Sequence, residues 1–543
     1  MQSTPCRFDE EYLVLIESNP VAHASADGNA ADRVEWFRDL GLGLFIHWSI
    51  DTQLGSDVSH PLVGASEDFV QRYYDELPRR FRPRRFDPTE WAELADLVGM
   101  RYVVFTTKHH NGFCMFRTAT TERHVGNTPF GRDVTAEILD AFRERGIAAG
   151  VYFSPDDFAW LWEQGIPIQR SIPSVQPAAN PGLMELAKAQ ITELLTEFGT
   201  VDLVFFDGEA EGLRDHAWKT DSAVVVTRGA LPTPEQYIPG QPIDGAWESN
   251  LTMGTQWTYK PTNETYKSGT RLIEILIETR AKGGNLLLNI GPKPDGTIPV
   301  EQEARLQELG LWMFVNREAI YATRPWVVTN EGELWFTASK DAKTVYVIVT
   351  GERWKWGERR EFQLRSIKAT EHTEVSILGQ SGQLMEYRPE LDATPRWEQT
   401  EAGLVVSALN AQRLYNDKKW PNPVVIKLTN VEAAAEPTRI STVDASWDEA
   451  TSTISVGVAV LARGSSESVL LGAEYQDITG MDTMERPDEW TPTELVADED
   501  AVVHAPFRAE PGRLYAVRAL GRTALLDVRG PELKFRTPGT AGG

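Results

Sequence analysis

The chain has 543 residues and a formal net charge of −25. That length exceeds what one core can organise, so several domains are expected, and the acidic excess argues against nucleic acid or an anionic membrane as partner. No apolar run reaches the ~18 residues of a transmembrane helix. Met1 to Glu11 carry charge where a signal peptide needs an apolar stretch. Cys6 and Cys114 are the only cysteines, without disulfide-framework or metal-ligand spacing, so a cytoplasmic location is expected. A homo-oligomer is left open.

Residues 1–30 read as an N-terminal extension and 31–325 as alternating strands and helices. In chain order come strand Leu42–Trp48, helix Asp87–Gly99, strand Arg101–Lys108 and helix Asp133–Gly146. Strand Ile147–Ser154, helix Pro181–Phe198, strands Val201–Gly208 and Ala223–Arg228, and a short strand Ala246–Ser249 follow. Helix Thr270–Lys282, strand Asn285–Gly291 and helix Val300–Ile320 close the series. The helices carry apolar stripes, such as Trp91, Leu94, Ala95 and Val98, at helical spacing. About eight βα units over ~250 residues suit an irregular (β/α)8 barrel. A doubly wound open sheet is the alternative, but the first strand runs into His47-Trp48 rather than a glycine-rich turn. Residues 326–435 read as an antiparallel β-sandwich, with 431–439 as a linker. Residues 436–543 read as a second small sandwich whose ending resembles a fibronectin type III domain. The glycine-rich tail from Gly539 reads as frayed.

In such a barrel the reactive groups gather at the C-terminal strand ends, where the βα loops surround one pocket. Successive expected strands end in His47-Trp48, Lys108-His109-His110, Tyr152-Phe153-Ser154, Asp207, Arg228 and Glu248. Asp207 follows the apolar Val204-Phe205-Phe206, which would hold a carboxylate rigidly; the bland alternative is a helix cap or structural ion pair. Glu248, near Trp247 and Trp257, would be desolvated and suit a general acid, against an ordinary loop glutamate. His47, His109 and His110 could bind hydroxyls or a metal. Adjacent His109 and His110 would point apart on a strand, leaving one of them in the core, and the first strand lacks the His-x-His expected of a barrel metal site. Trp48, Phe205 and Trp257 offer aromatic faces to a sugar, or core packing. Two carboxyls with aromatics and histidines point to glycoside hydrolysis, which needs an acid and a nucleophile or base.

At these residues the sequence resembles glycoside hydrolase family 29, the α-L-fucosidases. The resemblance spans about residues 33–430. Its blocks are GLFIHW (43–48), FDPTEWAELADLVGMRYVVFTTKHHNGF (86–113), GVYFS (150–154), VDLVFFDG (201–208), WES to QWTY (247–259) and KGGNLLLNIGPKPDGTIP (282–299). It implies a retaining mechanism, with Asp207 as nucleophile and Glu248 as acid/base, although the acid/base position varies within the family. It implies sugar contacts from His47, His109, His110, Tyr152 and Arg228, with Glu67 as a further polar contact. The family usually has Trp where this chain has Phe205, Asp for Asn111, and Gly for Ser49 and Thr258; Phe205 should wall the pocket near the sugar's C5 substituent. No cofactor or metal is implied. The leading expectation is an exo-acting enzyme that releases α-L-fucose or a similar L-sugar from a carbohydrate. A metal-dependent barrel hydrolase and a non-catalytic carbohydrate-binding relative are the alternatives.

Overall fold

The computed structural model describes residues 28–170, 172–481, 489–498 and 500–539. The N-terminal extension, except for its last three residues, and the tail beyond 539 lie outside the described residues. No described helix is long and apolar enough to cross a membrane.

Local chemistry sets the helix starts. Asp87, Asp133, Asn180 and Ser268 each accept a backbone N–H of the first turn with their side chain, opening helices Pro88–Val98, Val134–Glu144, Pro181–Glu197 and Gly269–Ala281. Between the helices, seven strands among the described residues pair in parallel: β1 (Leu42–Ile46), β2 (Tyr102–Lys108), β3 (Ala148–Phe153), β4 (Leu203–Phe206), β5 (Val225–Val226), β6 (Glu248–Thr252) and β7 (Asn285–Ile290). Their order is β5-β4-β3-β2-β1-β7-β6. Successive residues of β1 alternate: Leu42, Leu44 and Ile46 pack outward against the helices, while Phe45 joins the interior with Tyr102, Val104, Tyr152, Leu203, Phe205 and Leu287. Phe37 and Leu40, from the helix leading into β1, belong to that interior cluster and close its N-terminal end.

Between β5 and β6 the wall is irregular. Leu231-Pro232-Thr233-Pro234-Glu235 fills the place of an eighth strand. The carbonyls of Pro232 and Pro234 accept from the N–H groups of Glu248 and Asn250, and Gln236 N–H donates to Asn250 O. The two prolines lack the N–H groups a continuous ladder would use. The expected strand Ala246–Ser249 is therefore corrected: β6 starts at Glu248 and runs on to Thr252. Glu248 opens its strand instead of ending it.

Residues 324–433 form two antiparallel sheets around one apolar core that includes Phe336, Val347, Leu364, Val406 and Leu428. The helix Val300–Asn316 meets this unit through Trp312, whose indole N–H donates to Pro423 O. Strand Val424–Ala433 runs through the start of the expected linker, because Val431 pairs with Ala369. Strands from Arg439 onward build two more antiparallel sheets around Ile454, Val456, Leu471 and Val517.

Candidate active site

Asp207 follows β4 directly, and its N–H donates to Phe153 O. Its Oδ2 accepts from Tyr152 OH at 2.6 Å and its Oδ1 from Arg228 Nη1 at 3.0 Å, while His110 Nε2 lies 3.5 Å from Oδ2. The side chain keeps 19% exposure, so one side of the carboxylate is open. Burial by itself would raise its pKa. The charges of Arg228, the largest, and Arg170 outweigh that and hold the carboxyl well below its ordinary value.

The three histidines converge beside it. Register slips between Thr106 and Lys108 and the strand stops at Lys108, which frees both His109 and His110 from strand alternation. Their rings lie 4.2 Å apart, His109 stacks on Tyr152, and His47 sits 5.7 Å from the same tyrosine. The expectation that one of the pair would turn into the core is thus corrected. Gly112 makes this turn possible: its φ is +72° and a Cβ there would meet Asp157 Oδ1 at 2.1 Å.

The hydrogen bonds also set the tautomers of His47 and His110. Asn289 donates through Nδ2 to Trp257 O, so its Oδ1 accepts His47 Nδ1–H and leaves His47 Nε2 as an acceptor. Ser154 Oγ donates to Asp156 O and so accepts His110 Nδ1–H, leaving His110 Nε2 an acceptor as well. Ser59 Oγ accepts from Asn111 N–H and bonds His109 Nδ1 at 2.7 Å; since a hydroxyl can accept twice, either ring nitrogen of His109 can carry the proton. Burial lowers all three imidazole pKa values, His47 to about 4, so the rings are neutral.

Arg228 lies over the Phe205 ring and is fixed by Thr233 and Asn250. Its Nη1 donates to two carboxylates at once, Asp207 at 3.0 Å and Glu235 at 2.9 Å. Glu235 was not among the residues expected from sequence. Its signal, a glutamate after Pro-Thr-Pro, reads as an ordinary loop.

Glu248 sits elsewhere. It is fully buried at the start of β6, and its Oε2 accepts from the hydroxyl of Tyr102, the first residue of β2, at 2.5 Å. Both residues stand at strand starts, away from the strand ends that carry Asp207 and the histidines. Gly43 makes room, since a Cβ there would overlap the Tyr102 ring at 2.3 Å. Burial raises the Glu248 pKa to about 7. A carboxyl with a raised folded pKa stabilises the fold at low pH and loses that contribution as pH rises through about 7. Glu248→Gln is therefore expected to keep activity within a few-fold. It should also remove on the order of 2 kcal/mol of the stability lost between pH 5 and pH 8. Melting curves of both proteins across that range check the second point.

Two expected aromatic contacts are also corrected. Trp48 faces outward, packed on Phe81, Phe86 and Trp91, because it alternates with the inward His47. Phe205 is 1% exposed, stacked on Tyr152 and tilted against Phe45 beneath Arg228, so it floors the site rather than walling it. Trp257 is half-buried and stands 4.8 Å from the His47 ring. Glu67 is exposed in the first turn of helix Glu67–Arg80, where a carboxylate suits the helix N-terminus. Sequence reasoning also passed over His60, exposed and edge-on to His109 and His110. It follows Ser59, held at φ +62° by bonds to Asp51, His109 and Asn111.

His109, His110 and Asp207 offer ligand atoms within 4.8 Å of one another, the group among the described residues that could hold a metal. A family profile described as Alpha-L-fucosidase matches residues 16–318. The chain belongs to the α-L-fucosidase family. It is 30% identical to the tissue alpha-L-fucosidase of Rattus norvegicus, over 64% of this chain and 82% of that one. To the plasma alpha-L-fucosidase of the same organism it is 29% identical, over 63% and 82%. Among solved structures, alpha-L-fucosidase isoenzyme 1 from Paenibacillus thiaminolyticus shares the fold with TM-score 0.60 and 24% identity, over 74% of this chain and 99% of that one. The Thermotoga maritima alpha-fucosidase in complex with fucose gives TM-score 0.58 and 23% identity, over 72% and 96%. The protein is thus a glycoside hydrolase of the α-L-fucosidase type. The asparagine at 111 has a local reason. Its Nδ2 donates to Tyr73 OH, whose proton goes to the buried Asp51, so a second carboxylate there would repel the first.

Proposed function

We propose that the protein is a retaining exo-α-L-fucosidase in which Asp207 is the nucleophile and Glu235 the acid/base. The observation that carries this is the shared Arg228 Nη1. Two carboxylate oxygens bonded to one nitrogen at 3.0 and 2.9 Å lie within about 6 Å of each other. Retaining pairs stand ~5–5.5 Å apart and inverting pairs ~6.5–9.5 Å, because the inverting pair must admit a water.

In this reading Glu235 donates a proton to the glycosidic oxygen as Asp207 attacks C1. The C1–O bond breaks, the aglycone leaves as an alcohol, and a glycosyl ester forms on Asp207. Glu235, now a carboxylate, takes a proton from water, whose oxygen attacks C1 and releases Asp207. His47 and His110 accept from ring hydroxyls, and His109 Nε2 hydrogen-bonds another. Trp257 supplies the apolar surface for the C5 methyl. Such surfaces reject an added hydroxyl weakly, by about 10²-fold or less, so some L-galactoside cleavage accompanies fucosidase activity.

The test is kcat/KM on p-nitrophenyl α-L-fucoside beside α-L-galactoside, β-D-galactoside and α-L-rhamnoside, with proton NMR of the first-formed sugar. The fucoside should be preferred and the α-anomer appear first. Initial release of the β-anomer would end the retaining reading.

A further inference from the structure

We propose that Arg170 is a specificity-determining substrate contact whose guanidinium donates to a ring hydroxyl of the fucosyl unit beside His110. The inference rests on the fucosidase reading above and adds a residue to its sugar subsite.

Arg170 lies in the loop between β3 and β4. Ile168, two residues earlier, is buried in the main apolar cluster and anchors that loop. The Arg170 Nε donates to Asp156 Oδ2 at 3.0 Å, and the same oxygen lies 3.8 Å from His110 Nδ1. Asp156 is itself 4% exposed, so it forms a rigid tether that holds the guanidinium on the flank of His110. The other end of that imidazole faces Asp207 at 3.5 Å. Asp156 also borders the nucleophile's backbone, since a Cβ at Gly208, the residue after Asp207, would lie 3.2 Å from Asp156 Oδ1.

A guanidinium has five N–H donors. Nε uses one, and no described residue accepts from the four on Nη1 and Nη2. The side chain is 32% exposed. A planar fork tethered through Nε, partly exposed and with Nη donors that no described residue engages, suits sugar oxygens. His110, whose flank it occupies, is a ring-hydroxyl contact in the reading above, whereas Glu235 stands with the departing group. The contact therefore belongs to the fucosyl ring and not to the aglycone.

The experiment compares wild type, Arg170→Ala and Arg170→Lys on p-nitrophenyl α-L-fucoside and its 2-, 3- and 4-deoxy analogues. Arg170→Ala should lower kcat/KM on the parent sugar by about tenfold to a hundredfold, the loss of a hydrogen bond to a charged donor. That loss should largely vanish on the one analogue that lacks the contacted hydroxyl. Because each comparison is made within one variant, a partly destabilised protein does not blur it. Lysine keeps the charge without the fork and should restore little. Equal losses on every sugar, or full rescue by lysine, would mean that Arg170 acts only through its field on Asp207, and would overturn the proposal. Unchanged activity in Arg170→Ala would do the same. A wild type inactive on every fucoside would instead remove the underlying functional reading, and this inference with it.

Discussion

Asp207→Gly is expected to lower kcat by at least about 10³-fold while the protein remains folded. The nucleophile is ready at neutral pH because Arg228 and Arg170 overcome the effect of burial on its pKa. Its removal deletes the covalent step, and the neighbours keep other partners. Arg228 retains Glu235, Thr233 and Asn250. The cavity left by the carboxylate admits a small anion, so azide should restore turnover and yield the inverted glycosyl azide. Near-normal activity in Asp207→Gly, with folding checked by circular dichroism, would remove Asp207 from the reaction.

The second large effect separates two glutamates. Glu235→Gln should lower kcat/KM by about 10²–10⁴-fold on fucosides with an alkyl or sugar leaving group, which need a proton to depart. The loss should shrink on a dinitrophenyl fucoside, whose leaving group departs unprotonated, and deglycosylation should then limit the rate. Glu248→Gln should show neither pattern, since Glu248 is fully buried against Tyr102. If the leaving-group dependence appears in Glu248→Gln and not in Glu235→Gln, the assignment is reversed. The role that Arg228 plays in holding both carboxylates would then need another explanation.

Much of this molecule was legible in the chain itself. Local patterns fix the βα rhythm: Asp87, Asp133 and Asn180 each stand one residue before an amphipathic run, and each caps it. Chain direction within a βα unit is also fixed, so a polar residue just after a buried strand, such as Asp207 after Leu203–Phe206, had to emerge at the mouth. The alternation that turns His47 inward and Trp48 outward was present in the sequence too, as the period of an extended strand.

What the sequence left undecided depends on features with no local period. A shift of two residues in the start of β6 moves Glu248 from the end of a strand to its beginning, and so from the expected site to the buried floor. The slip after Thr106 lets two adjacent histidines face one pocket, against strand alternation. Glu235 and Arg170 lie on loops, where propensity says little about direction. Their places are set by charge partners on other elements: Arg228 draws Glu235 toward Asp207, and Asp156 ties Arg170 to His110. A buried ion pair is worth forming only where the fold removes water and fixes both partners. Tertiary packing alone could therefore decide which carboxylate stands opposite Asp207.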